Sequence, residues 1–202
     1  GADPATSPAS ALATLLYTVQ LGALVVNAWH SRITAPEHPD YAVLDLDPQP
    51  GVDFASIVQV ARHVHASLVG RRLDSVPKTS GSRGIHMLVP LPEGSTFAEA
   101  TALAEEVAAE VAAEHPELAT VERSIDQRPA GTVYVDYMQN SIGKTLAAAF
   151  AVRAKPGALV STPLAWSQVT RSLRPARFNI ASVQQHRTKH IAHWREVWLD
   201  RA

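Results

Sequence analysis

A chain of 202 residues with 46% hydrophobic side chains can bury one substantial core, and the absence of cysteine removes disulfides, thiolate metal sites and cysteine nucleophiles. The formal charge of -1 conceals an asymmetry, since residues 1–143 carry 8 Lys/Arg against 17 Asp/Glu while residues 144–202 carry 10 against 2. No apolar run free of charge reaches the ~18 residues of a spanning helix and no signal-like segment opens the chain, so it reads as a soluble cytoplasmic protein, not a membrane one, with a basic half suited to a polyanion.

Residues 1–10, GADPATSPAS, are small, polar and proline-bearing, as in a disordered linker or a cloning scar, which leaves 11–202 as one domain. Helical spacing predicts a helix over 9–21 with Gly22 as its stop, and ALVVN at 23–27 reads as a short buried strand. After the proline-rich turn TAPEHPD, the run YAVLDLD alternates. Ala42, Leu44 and Leu46 fall on one side of a strand, and Val43, Asp45 and Asp47 on the other. Asp53 is a suitable N-cap for a helix over 54–68. Strands over 74–79 and 85–91 flank the glycine turn SGSRG as a hairpin. The Ala/Glu-rich stretch opened by Thr96 is the clearest helix, and GTVYVDYM the clearest late strand, with Asp136 at its end. AAAFAVRA reads as a further strand, TPLAWSQV as a helix start, and 188–199 as a helix with Trp194 and Trp198 inward. Strands mixed with helices and hairpins give an α/β, or mixed α+β, domain: a mixed β-sheet with flanking helices.

Period 2 sends Asp45 and Asp47 to one face, where like charges repel unless a cation lies between them. Hard oxygen ligands suit Mg²⁺ or Mn²⁺. Such a pair also describes a strand end with two solvated acids, and the third strand-borne acid, Asp136, is what suggests a two-metal site for phosphoryl displacement. The second feature is KTSGSRGIH at 78–86. Gly81 and Gly84 let backbone N–H groups approach an anion, Ser80 offers a hydroxyl, and Lys78, Arg83 and His86 offer donors. It is not a Walker loop, and a plain glycine hairpin carrying basic side chains fits the same residues.

Three runs, LVVNAWHSRITAPEHPDYAVLDLDP, KTSGSRGIHMLVPL and VYVDYMQNSIGKTLAAAFAVRAKPGALVSTPLAW, resemble in order and spacing the polymerase domain of bacterial non-homologous end-joining ligase D, a branch of the archaeo-eukaryotic primase superfamily. The resemblance covers about residues 11–200. It implies a primase-polymerase-like core that adds nucleotides to DNA ends using nucleoside triphosphates and a two-metal Mn²⁺ or Mg²⁺ site. It also implies a ligase domain and end-binding repair proteins as partners. By motif match Asp45, Asp47 and Asp136 are the catalytic metal ligands, and Ser80, Arg83, His86 and Arg153 contact the nucleotide phosphates. Arg128, one position further from the third aspartate than the family's arginine, and Gln139 complete the nucleotide-binding set, followed by Asn140 and Lys144. Where the family commonly reads H-P-W-H-S-R, this chain reads Asn27, Ala28, Trp29, His30, Ser31, Arg32, so Asn27 replaces a histidine near the active site. The family's additional amino-terminal portion has no counterpart before residue 11.

His186, His190 and His193 at i, i+4, i+7 could bind a transition metal but read better as a solvated basic face, since no carboxylate accompanies them. Arg171, Arg174 and Arg177 are candidates for phosphate contacts, and Trp166, Trp194 and Trp198 for packing. Two other functions stay open: a catalytically weakened DNA-end- or nucleotide-binding module of this fold, and a phosphatase with an aspartate nucleophile.

Overall fold

The computed structural model describes residues 8–198. The first helix, α1 (Pro8–Gln20), starts on a proline whose missing N–H costs nothing at that position, and ends before Gly22 at φ +80°. The predicted linker's residues 1–7 lie outside the described residues. No buried strand forms over 23–26: Leu24 and Val26 are exposed, and pairing begins only with β1 (Asn27–Trp29), although the Val26 carbonyl accepts from Ala148 N–H. A short ribbon follows, β2 (Ser31–Arg32) with β3 (Ala35–Pro39).

The predicted acidic strand is β4 (Tyr41–Pro48), the centre of a five-stranded sheet. Asp53 accepts from Ser56 N–H and opens α2 (Phe54–Gly70), and the hairpin is β5 (Val76–Thr79) with β6 (Ile85–Pro90). A capping box between Thr96 and Glu99 starts α3 (Phe97–Glu114), after which come β7 (Ala119–Thr120) and β8 (Val133–Asp136). The sheet order is β5-β6-β4-β8-β7, antiparallel except for the parallel β7/β8 pair, so it is mixed as expected.

Two late predictions are corrected. AAAFAVRA contributes only its first residue, Ala147, to a strand, β9 (Thr145–Ala147), paired with β1, because Phe150 adopts φ +66° and turns the chain; beyond it a single bridge joins Val152 to Val160. TPLAWSQV is not a helix. Its first residues run along the free edge of β5, where Thr162 and Leu164 exchange backbone hydrogen bonds with Thr79 and Pro77, and only Trp166–Gln168 makes a 3₁₀ turn. An edge strand left bare would present unpaired N–H and C=O groups, and satisfying them outweighs the weak helix-start signal. The chain finishes in α4 (Ile180–Gln185) and α5 (Arg187–Trp198), whose Trp198 and His193 side chains lie outside the described residues.

Helices α2 and α3 cover one sheet face. Ala42, Leu44, Leu46, Ile85, Met87, Val133 and Val135 point there with Ile57, Val64, Val107 and Val111. On the opposite face Val43, Val76, Leu88 and Leu146 form a smaller cluster, against which Trp194 packs. The rest of that second face is polar, and it carries the candidate site. Among the described residues no helix is long and apolar enough to cross a membrane.

Candidate active site

Sheet register alone assembles the site. Asp45 on β4 is the direct partner of His86 on β6 and of Asp136 on β8, and His86 is the partner of Lys78 on β5. Lys78, His86, Asp45 and Asp136 therefore stand in one row across four strands, at the ~4.8 Å strand spacing, with Asp47 two residues along β4 on the same face. The two faces divide the labour: even positions of β4 fill the core, odd positions carry the acids.

Burial and mutual repulsion outweigh the nearby cations in the electrostatics of these acids. Asp45 is buried and its carboxyl is held well above the ordinary range, first by burial and then by Asp47 and Asp136, with Lys78 and Arg153 opposing. Asp47, exposed at the end of β4, is also raised, by partial desolvation and by Asp136, while Arg128, Arg83 and Lys155 pull the other way. Asp45 Oδ1 is buried without a hydrogen bond, since His86 Nε2 lies 3.5 Å away. Both ring nitrogens of His30, also buried, lack one too. The Gln139 backbone approaches that ring outside hydrogen-bond geometry, and burial pushes the imidazole down to about 4.

Asp136 is held differently. Its Oδ1 accepts from Met138 N–H at 2.8 Å and its Oδ2 from the Gln139 amide at 2.8 Å, with the Tyr134 hydroxyl at 3.3 Å. The Arg128 guanidinium lies 3.9 Å over the Tyr134 ring and donates to the Glu122 and Arg123 carbonyls, which places it beside the acids despite its shifted spacing. Among the described residues no three His, Asp or Glu side chains are gathered as a ready metal cluster. The donor chemistry nevertheless fits a hard cation, because an orphaned, buried carboxylate oxygen beside two further acids is the feature such an ion would relieve.

The glycine turn folds back over this row. Ser80 Oγ accepts from Ser82 N–H and Gly84 N–H, so those two backbone donors close the turn and are not free for an anion. Arg153 donates to the Ser80 carbonyl and Lys155 to Ser82 Oγ, which brings cations from a distant segment onto the loop. Gly84 sits so close to β4 that an added Cβ would collide with the Leu46 carbonyl oxygen, and at Gly81 it would lie 2.6 Å from Arg153 Cγ. Gly84→Ala is expected to cost about 1–3 kcal/mol by displacing the turn from the strand, read as a lowered midpoint in urea unfolding. An unchanged midpoint would show that the turn can shift freely.

Known proteins bear on this arrangement. The family model described as the LigD primase-polymerase domain matches residues 3–194. The chain belongs to that family. It is 35% identical over 173 residues to the bifunctional non-homologous end joining protein LigD of Bacillus subtilis, covering 85% of this chain and 28% of the relative. It is 30% identical over 171 residues to the multifunctional LigD of Pseudomonas aeruginosa, covering 85% and 20%. The chain thus spans under a third of the length of these relatives. In three dimensions it resembles the polymerase domain of Mycobacterium tuberculosis ligase D, solved in complex with DNA, with TM-score 0.82, 30% identity, and coverage of 92% of this chain and 67% of that one.

Within this LigD-type fold, the sequence-derived residues Asp45, Asp47, Asp136, Ser80, Arg83, His86, Arg128, Gln139 and Arg153 lie on the second face of the sheet, on the loop that folds over it, or on segments held against them. Asn27, in place of the family histidine, is exposed on β1 opposite Ala147. Lys144 is exposed. His186 is exposed at the α4/α5 junction while His190 is turned inward, edge-on to Phe178 at 6.3 Å, so these two do not share a solvated face. Trp166 packs against the main core, stacks on His65 and donates to the Ser75 carbonyl, in keeping with a packing role. Arg171, Arg174 and Arg177 are exposed. Sequence reasoning underrated Lys78 and Asn140, both buried and both fully engaged; the visible signal for Lys78 was its even spacing from Val76 on a strand, which turns it to the His86 face.

Proposed function

We propose that this domain is a metal-dependent nucleotidyltransferase that adds nucleotides to DNA ends during double-strand-break repair. The observation carrying this reading is the convergence of Asp45, Asp47 and Asp136 on one sheet face beside a cation-rich glycine turn. Asp45, Asp47 and Asp136 would hold Mn²⁺ or Mg²⁺, which when bound supplies charge neutralisation for the attacking and leaving oxygens of phosphoryl transfer. Gln139 and the Met138 N–H hold the Asp136 carboxylate in place. Arg83, Arg153 and Lys155 surround the place where triphosphate oxygens would lie, with Ser80 and His86 as further contacts and Arg128 screening Asp47. The basic carboxyl-terminal stretch suits the phosphate backbone of a DNA end. Ligase-domain and end-binding repair partners and a cytoplasmic, nucleoid-associated location follow from the same reading.

The test is primer extension with Mn²⁺ and nucleoside triphosphates, comparing wild type with Asp47→Ala. Extension by wild type and none by the variant supports the proposal; no extension by either refutes it. The second reading, a weakened DNA-end-binding module, is favoured by Asn27 and by the lack of a gathered metal cluster among the described residues. It requires salt-sensitive DNA binding that Asp47→Ala leaves intact in a protein inactive from the start.

A further inference from the structure

Lys78 is a lysine in the interior of a sheet, 2% exposed. Burying an ammonium is costly unless every N–H is satisfied, and here each one is. Lys78 Nζ lies 2.8 Å from the Ala147 carbonyl, 2.7 Å from Ser161 Oγ and 2.6 Å from His86 Nδ1. The carbonyl can only accept. Ser161 Oγ gives its own hydrogen to the Thr79 carbonyl, so towards Lys78 it too accepts. An ammonium has donors and no lone pair, which leaves His86 Nδ1 as the third acceptor and places the single hydrogen of a neutral ring on Nε2.

We propose that Lys78 is a positioning residue, whose ammonium fixes His86 as the Nε2–H tautomer so that the nitrogen facing Asp45 enters the site as a hydrogen-bond donor. The inference rests on the nucleotidyltransferase reading for what that donor meets. Nε2–H suits an anionic phosphate oxygen and has no lone pair for a cation, in keeping with the phosphate contact that the family resemblance implies for His86. Burial lowers Lys78 to about 7, with Asp45 acting to keep it charged and Arg153 against. Lys78 and His86 are also direct register partners on β5 and β6, so the pairing is set by the backbone ladder.

The experiment is nitrogen-15 spectroscopy of the full chain below the Lys78 pKa, with the His86 signals assigned through His86→Gln. Wild type is expected to show an acceptor-type Nδ1 and a hydrogen-bearing Nε2. Lys78→Met should release the ring into a mixture of tautomers and weaken ATP binding, measured with Mg²⁺, on the order of tenfold, as for other hydrogen-bond partners that orient a working histidine. Since that variant could fail to fold, Lys78→Cys provides a second arm. The chain has no other cysteine, so the new thiol can be aminoethylated in urea and the protein refolded. The aminoethylated protein, isosteric with lysine, should restore the Nε2–H signal and ATP affinity, and the propylated one should restore neither. A wild-type ring with its hydrogen on Nδ1, or a folded Lys78→Met or propylated protein that keeps the Nε2–H tautomer and full ATP affinity, would overturn the proposal. Failure of primer extension would leave the tautomer result untouched, so the two readings fall separately.

Discussion

Asp45→Asn is expected to give a protein that is harder to unfold yet unable to add nucleotides. Burial, Asp47 and Asp136 raise the Asp45 carboxyl, so the folded state holds its proton more tightly than the unfolded chain does. Stability linked to this group is therefore present below the ordinary carboxylate range and is lost as pH rises through the folded value. At neutral pH the metal-free protein carries that deficit, with one carboxylate oxygen buried and unpaired. Asparagine removes the charge at nearly the same volume, and a gain of about 1–3 kcal/mol is expected at neutral pH, with a flatter pH profile. On the proposed two-metal reading, losing this ligand removes several kcal/mol of transition-state stabilisation, on the order of a thousandfold in nucleotide addition. Thermal melts with and without Mn²⁺ check both halves: wild type should be stabilised by the ion and the variant should not. A variant less stable than wild type without metal, or one still stabilised by Mn²⁺ to the same extent, would contradict this account.

The second large effect is expected away from the acids, at Asn140. Strand β8 pairs with β4 only from Asp45 to Pro48, so the edge of β4 at Val43 runs on without a strand beside it. The Asn140 side chain takes that place: its Oδ1 accepts from Val43 N–H at 2.7 Å, and its Nδ2 donates to the Val43 carbonyl at 2.8 Å and the Tyr137 carbonyl at 2.7 Å. An amide side chain reproduces what a backbone peptide would offer. Asn140→Ala leaves a buried donor and acceptor of the central strand unmade, a loss on the order of 3 kcal/mol. For a domain of this size that corresponds to a fall in Tm of roughly 6–12 °C. The segment it anchors also carries Gln139 to Asp136, so nucleotide addition should fall as well. A melt within a degree or two of wild type would show that water or a neighbour replaces the amide.

Much of this was legible in the sequence wherever one periodicity served both core and site. The alternation in YAVLDLD gave the strand, its buried face and the common side of Asp45 and Asp47 at once. Asp53 and Thr96 marked helix starts because capping is local. What could not be read depended on long-range pairing. The 147–164 region has strand-like and helix-like composition, but its shape is set by Phe150 at positive φ and by the edge of β5, some 80 residues earlier in the chain. ALVVN is apolar without being buried for the same reason, since its sequence does not say what would cover it. Arg128 fell outside the expected spacing, yet its contact with Tyr134 brings it to the site through the side chain and not through the register.

The row formed by Lys78, His86, Asp45 and Asp136 makes the fold its own quality control. A slip of β4 by one residue would turn Asp45 and Asp47 into the layer occupied by Leu44 and Leu46 and expose those leucines. The resulting charge burial and lost apolar packing would unfold such a misregistered chain before it could act. Any population stable enough to persist has therefore already aligned its acids, and selection for a well-filled core carries selection for the geometry of the candidate site with it.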